Sequence, residues 1–165
     1  MSTAKVMERE SGVLSTDCGM PLDARHFDES GIFPAPAVGR EVVLASFQLQ
    51  PQYCGVLENF SQYTDVFAKD NSQVPTPGLQ WLILVNERPL YPYLNIEWIL
   101  NPWGYGSFSF RVRLDEAASV QFVVRRVPLP AGTTTNVPQV AQVGGRIAGR
   151  YWYNPAYGDV GRRGY

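Results

Sequence analysis

The sequence predicts an all-β protein: a jelly-roll-like antiparallel β-sandwich with an extended N-terminal arm and a C-terminal tail. Three observations carry that prediction. Residues 107–114 read Ser107, Phe108, Ser109, Phe110, Arg111, Val112, Arg113, Leu114, apolar at every second position, which is the period of a strand with one wet face. Thirteen prolines and fifteen glycines, with 13% aromatic residues, suit a domain of many turns and bulky half-buried side chains. No stretch sustains a helical period for longer than a turn or two.

Residues 1–40 read as an arm. Gly12, Gly19, Pro21, Gly31, Pro34, Pro36 and Gly39 interrupt it, and no strand period persists. Phe27, Ile32 and Phe33 stand isolated among polar neighbours. Ile32, Phe33, Pro34, Ala35 and Pro36 should run extended, because proline fixes its own φ and disfavours helix in its predecessor. The arm is either a free terminus or a segment that lies on a neighbouring subunit.

The sandwich is expected over residues 41–153. Residues 41–50 predict a strand with Val43, Ala45, Phe47 and Leu49 on one face and Val42 and Leu44 on the other. Pro51 and Gln52 predict a tight turn, and residues 53–60 the returning strand of a first hairpin, with Gly55 marking a bulge or a close backbone approach. Residues 61–78 form a long polar loop, the kind of connection that carries binding surfaces. Residues 79–85 are apolar on both faces, as in a central strand covered on both sides. Asn86, Glu87 and Arg88 predict a turn, and residues 89–93 a short strand that its prolines confine to an edge. Ile96, Trp98 and Leu100 alternate before a turn-rich aromatic loop at 101–106.

The stretch 107–127 then predicts a second antiparallel hairpin. Asp115, Glu116, Ala117 and Ala118 break it, and Val120, Phe122 and Val124 resume the apolar face opposite Gln121, Val123 and Arg125. A lone hairpin is marginal in water, so a second sheet must cover that face. Residues 128–140 read as a second long loop and residues 141–153 as the last strand, with Ile147 and Tyr151 as core candidates. Residues 154–165 form a tail of glycine, tyrosine and arginine. Seven or eight strands at this spacing suit a sandwich or jelly roll.

Function is less legible. Net charge is −1, so no global attraction to nucleic acid or anionic lipid is expected. No apolar run approaches the ~20 residues that span a bilayer, and residues 1–10 lack the apolar core of a secretory signal. Cys18 and Cys54 match no metal spacing. They suit free thiols in a reducing compartment, while a bridge between them would need Cα atoms within about 7 Å. The single histidine, His26, lies in the arm, and no nucleophile elbow, phosphate-binding loop or zinc motif is present. Asp115 and Glu116 have no visible carboxylate partner across a cleft. The expectation is therefore no enzyme, no metal and no cofactor.

Arg111, Arg113, Arg125 and Arg126 could share one face of the predicted hairpin, and Arg146, Arg150, Arg162 and Arg163 are interleaved with Tyr151, Trp152, Tyr153, Tyr157 and Tyr165. Arginine with aromatics can bind single-stranded nucleic acid. The same residues are enriched in protein–protein hot spots, and the acidic balance favours that use. The residues expected to contact protein partners are thus Phe27, Ile32, Phe33, Tyr151, Trp152, Tyr153, Tyr157, Arg162, Arg163 and Tyr165. A glycan is a further candidate ligand, because Tyr91, Tyr93, Trp98, Trp103 and Tyr105 are concentrated in one region.

Residues 56–60, the polar loop, the strand–turn–strand over 79–93 with Trp81, and the 107–127 stretch resemble small β-sandwich virion proteins of tailed bacteriophages. Gly144-Gly145-Arg146-Ile147 and Gly149-Arg150-Tyr151-Trp152 have the same look. The resemblance covers roughly residues 40–153 and rests on a pattern of strands and turns, with no catalytic residues attached. It implies a capsid decoration (cement) protein or a neck or tail component. Cement proteins of this kind are commonly trimers, so it also implies self-association and contact with a major capsid protein or other virion proteins. The implied location is the virion, assembled in the host cytoplasm. Extended arms suit such a part, since they add interface without enlarging the core.

Overall fold

The computed structural model describes residues 20–21, 23–66, 76, 78–90, 108–129, 131–132 and 139–154. They form eight strands: β1 (Arg25–Pro34), β2 (Glu41–Gln48), β3 (Tyr53–Thr64), β4 (Leu79–Val85), β5 (Arg88–Pro89), β6 (Phe108–Leu114), β7 (Ser119–Arg126) and β8 (Gln142–Tyr153). No helix occurs among the described residues. One sheet has the order β1-β8-β3-β6 and the other β2-β7-β4-β5, each four-stranded, and every pairing is antiparallel. First strand pairs with last, second with seventh, third with sixth and fourth with fifth. That nesting is a long double strand rolled into two layers, which is the jelly roll.

The core lies between the layers. Trp81 and Ile83 of β4, Val120, Phe122 and Val124 of β7, Leu57 and Phe60 of β3, and Val143 and Ile147 of β8 are all buried in it. Phe122 is central: its ring meets Trp81 at 5.9 Å and Phe60 edge-on at 6.1 Å between centroids. Such aromatic pairs add to the area that they bury.

Both predicted hairpins are absent. β2 and β3 lie in different sheets, as do β6 and β7, so each short connection arches from one layer to the other. Alternating apolar residues are satisfied either way: a hairpin puts both apolar faces into one sheet, and an arch sets them face to face across the core. The two arches brace each other. Leu49 N–H donates to Ala118 O at 2.9 Å, the Gln48 side-chain amide to Ala117 O at 2.6 Å, and Gln52 N–H to Glu116 Oε1 at 2.7 Å.

The β4–β5 turn is a true hairpin. Asn86 and Glu87 hold φ of 51° and 63°, the two positive values that a type I′ turn requires. The Asn86 side-chain oxygen accepts from Ser119 N–H at 2.9 Å, and Asn86 N–H returns a bond to Ser119 O at 2.9 Å. β5 is short and lies at the sheet edge, as its proline predicted. Central β4 is covered on both sides, with Trp81 and Ile83 facing inward and Leu82 buried on the other face.

Two further corrections concern the first half of the chain. The sandwich begins at Arg25, not at Glu41, because β1 pairs with β8 over ten positions from Arg25↔Tyr151 to Pro34↔Gln142. The strand period was hidden because β1 is an edge: only Phe27 is buried, while Glu29 and Phe33 occupy the same face and stay exposed. In β2 the register slips between Val43 and Ala45, which buries Leu44 beside Ala45 and turns Val43 outward. The strand β3 likewise runs on through Thr64, so the polar loop begins later than residue 61.

Candidate interaction edge

β1 ends the first sheet, and among the described residues no strand pairs with its far edge. Six large apolar residues are strongly exposed among those described: three lie in β1 or on its connection to β2, Ile32 (63%), Phe33 (40%) and Val38 (62%), and a fourth, Val43 (42%), lies in β2. Ile32 points outward over β8, where a Cβ on Gly144 would stand 3.1 Å from its side chain and 3.2 Å from the Tyr63 ring. The Phe33 ring folds back over Gly31, whose missing side chain lets the strand approach the Leu44 carbonyl of β2. Ile32 thus flanks the outer face of one sheet and Val43 that of the other, with Phe33 at the rim between them.

The other half of β1 is charged and held down. Arg146 of β8 grips Asp28 through Nε at 2.7 Å and a second nitrogen at 2.6 Å. Those bonds hold the Asp28 carboxyl below its ordinary range and raise the Arg146 guanidinium further. Arg150 makes the same two-bond grip on Glu58 at 2.9 and 2.6 Å. Arg113 meets Asp115 at 2.9 Å and Arg125 meets Glu41 at 2.7 Å. Arg126 reaches the Pro36 carbonyl at 3.3 Å. The arginines do not form one basic face: Arg113, Arg146 and Arg150 decorate one sheet, Arg125 the other, and each of these is matched to a carboxylate.

The predicted contact residues separate. Phe27 is 4% exposed and stacks on Phe47 of β2 with centroids 4.0 Å apart and planes 4° from parallel. It fills the core of its own chain. Tyr151 continues that aromatic row outward, 5.5 Å from Phe47 and 5.8 Å from Tyr53, and Tyr153 ends it, half exposed, edge-on to Tyr53. Trp152 points to the opposite face, across the ladder from Cys54. Ile32 and Phe33 alone among them are exposed in a common patch. Tyr157, Arg162, Arg163 and Tyr165 lie outside the described residues, as do Cys18 and the aromatic group Tyr91, Tyr93, Trp98, Trp103 and Tyr105.

Sequence reasoning missed Val38 and Val43. Val43 carried a signal, a valine beside two apolar residues in a run that could hold only alternate ones inward, but the bulge that resolves it is not visible in the residues. Cys54 is a free, buried thiol, and burial pushes its pKa up while a hydrogen bond with Asn154 opposes the shift. His26 is exposed on the outer side of β1. Among the described residues no three of histidine, cysteine, aspartate and glutamate converge as a metal site. Beyond β3, the Asp65 carboxylate receives Ala141 N–H at 3.1 and 3.2 Å and ties the start of one long loop to the end of the other. No family model and no curated protein matches this chain.

Proposed function

We propose that the chain is a non-enzymatic structural protein of a phage virion, acting as a capsid decoration protein that stabilises the shell by contacts of its exposed apolar side chains. The observation that carries this reading is the jelly-roll order β1-β8-β3-β6 over β2-β7-β4-β5, an architecture used by viral capsid proteins, combined with a bare apolar corner at Ile32, Phe33, Val38 and Val43. These four exposed apolar side chains are the candidate contact. The paired arginines support a protein partner over nucleic acid, since each carboxylate-bound guanidinium is withdrawn from phosphate binding.

Jelly rolls also include lectins. The tyrosines where β3 begins and β8 ends do not favour that use: Tyr53 stands at 54° to Tyr151 and 73° to Tyr153, and they offer no flat platform for a sugar ring. The test is to mix purified protein with particles that lack it and to measure bound mass by light scattering. Stoichiometric binding to assembled shells, and not to lone coat subunits, is expected. Attachment only at the neck or tail would move the protein to that part of the virion. Retention on a glycan column with no binding to particles would replace the structural reading with a carbohydrate-binding one.

A further inference from the structure

We propose that two copies of this chain join edge to edge through β1, antiparallel about a two-fold axis at Phe27, so that the two β1-β8-β3-β6 sheets become one continuous sheet. The inference goes beyond the virion reading and does not depend on it.

An edge strand with an open ladder is a template for another strand, and natural edges that avoid pairing carry charges aimed to repel it. The charges of β1 are arranged the other way. In an antiparallel pair centred on Phe27, Arg25 stands directly opposite the partner's Glu29, and Glu29 opposite the partner's Arg25. His26 stands opposite the partner's Asp28, and Asp28 opposite the partner's His26. Directly opposed side chains share a face and interact, so one ladder makes two Arg–Glu contacts on the inner face and two His–Asp contacts on the outer one. Arg25, His26 and Glu29 are exposed, and among the described residues none of the three has a side-chain hydrogen bond or an ion pair within its own chain.

Other centres are worse. An axis at Asp28 or at Glu29 sets a carboxylate against its own copy, and an axis at Ser30 pairs no opposite charges at all. At the Phe27 centre the charged half of β1 meets its complement. The same patch on both copies closes the assembly at two, as an isologous contact must. Phe27 itself stays in the core and supplies only backbone to the joint.

The test is a charge exchange read by the mass of the full-length protein in solution. The natural protein is expected to be a dimer that dissociates on dilution. Arg25→Glu alone and Glu29→Arg alone each set like charges opposite one another twice, and each should weaken the dimer roughly tenfold or more. The double variant Arg25→Glu/Glu29→Arg restores both pairs and should restore the dimer. Amide exchange of the unmodified protein gives a second reading: residues 25–29 should be protected at high concentration and lose protection on dilution. A natural protein that stays monomeric, a trimer, single variants that leave the dimer intact, or a double variant that fails to regain it would each overturn the proposal.

Discussion

β1 and β8 are neighbours in one sheet and are built by opposite means. β8 is flanked on both sides and carries three glycines, Gly144, Gly145 and Gly149. Each glycine is a hole that a neighbour fills: Gly145 lies under Phe122 and Leu44, and Gly149 under the Phe27 ring and against the Val56 carbonyl. β1 is flanked on one side and inserts one buried side chain, Phe27, into one of those holes. The central strand is thus held by what it lacks, and the edge strand by its ladder to β8, one ring and one bidentate ion pair. The difference teaches that the two should fail differently, β8 with the whole fold and β1 on its own.

The sharpest way to break the contrast is to fill a hole. Gly149→Val places a branched side chain against the Val56 backbone, which cannot rotate away. It should cost about 3 kcal/mol or more, seen as a lower denaturant midpoint with an unchanged slope. Removing the ring from the other side is the next largest change. Phe27→Ala should cost about 3 kcal/mol, and hydrogen exchange should show the loss concentrated in residues 25–34. Equal acceleration across β8 and β4 would mean that β1 is not an independent unit.

The smallest effect concerns the ion pair. Asp28→Asn should cost less than about 1 kcal/mol at neutral pH, because both partners are half exposed. The sign of its pH dependence is fixed by the lowered Asp28 pKa. The folded state binds this proton less readily than the unfolded chain, so the contribution is complete above the unfolded carboxylate range and is lost as pH falls through the folded value. Wild type and variant should therefore differ at pH 7 and converge in acid, with parallel titration of unfolding as the measurement.

The fold class and the central burial of residues 79–85 were legible because they depend on local period and composition. So was the Asn86 turn, since few residues other than asparagine and glycine adopt such backbone readily. Which strand pairs with which was not legible. The runs around Asp115–Ala118 and around Pro51-Gln52 look like hairpins because period two reports only which face is wet, not which sheet owns the strand. β1 was unreadable for a related reason: an edge strand with one buried residue has almost no apolar period to detect. Ile32 and Phe33 were found as contact candidates because a proline-flanked apolar pair is conspicuous. Val43 was not, because its exposure depends on a bulge one residue away.

The nested pairing also sets an order in time. Asp28 and Arg146, bonded across β1 and β8, are 118 residues apart in the chain, whereas β4 and β5 are joined by a two-residue turn. Closing the longest loop first is entropically unfavourable, so the roll should grow outward from the middle of the sequence. On a ribosome β1 must therefore wait for β8, which emerges long after it. Until β8 arrives, the edge has no seat, and β1 is the last strand of the roll to join.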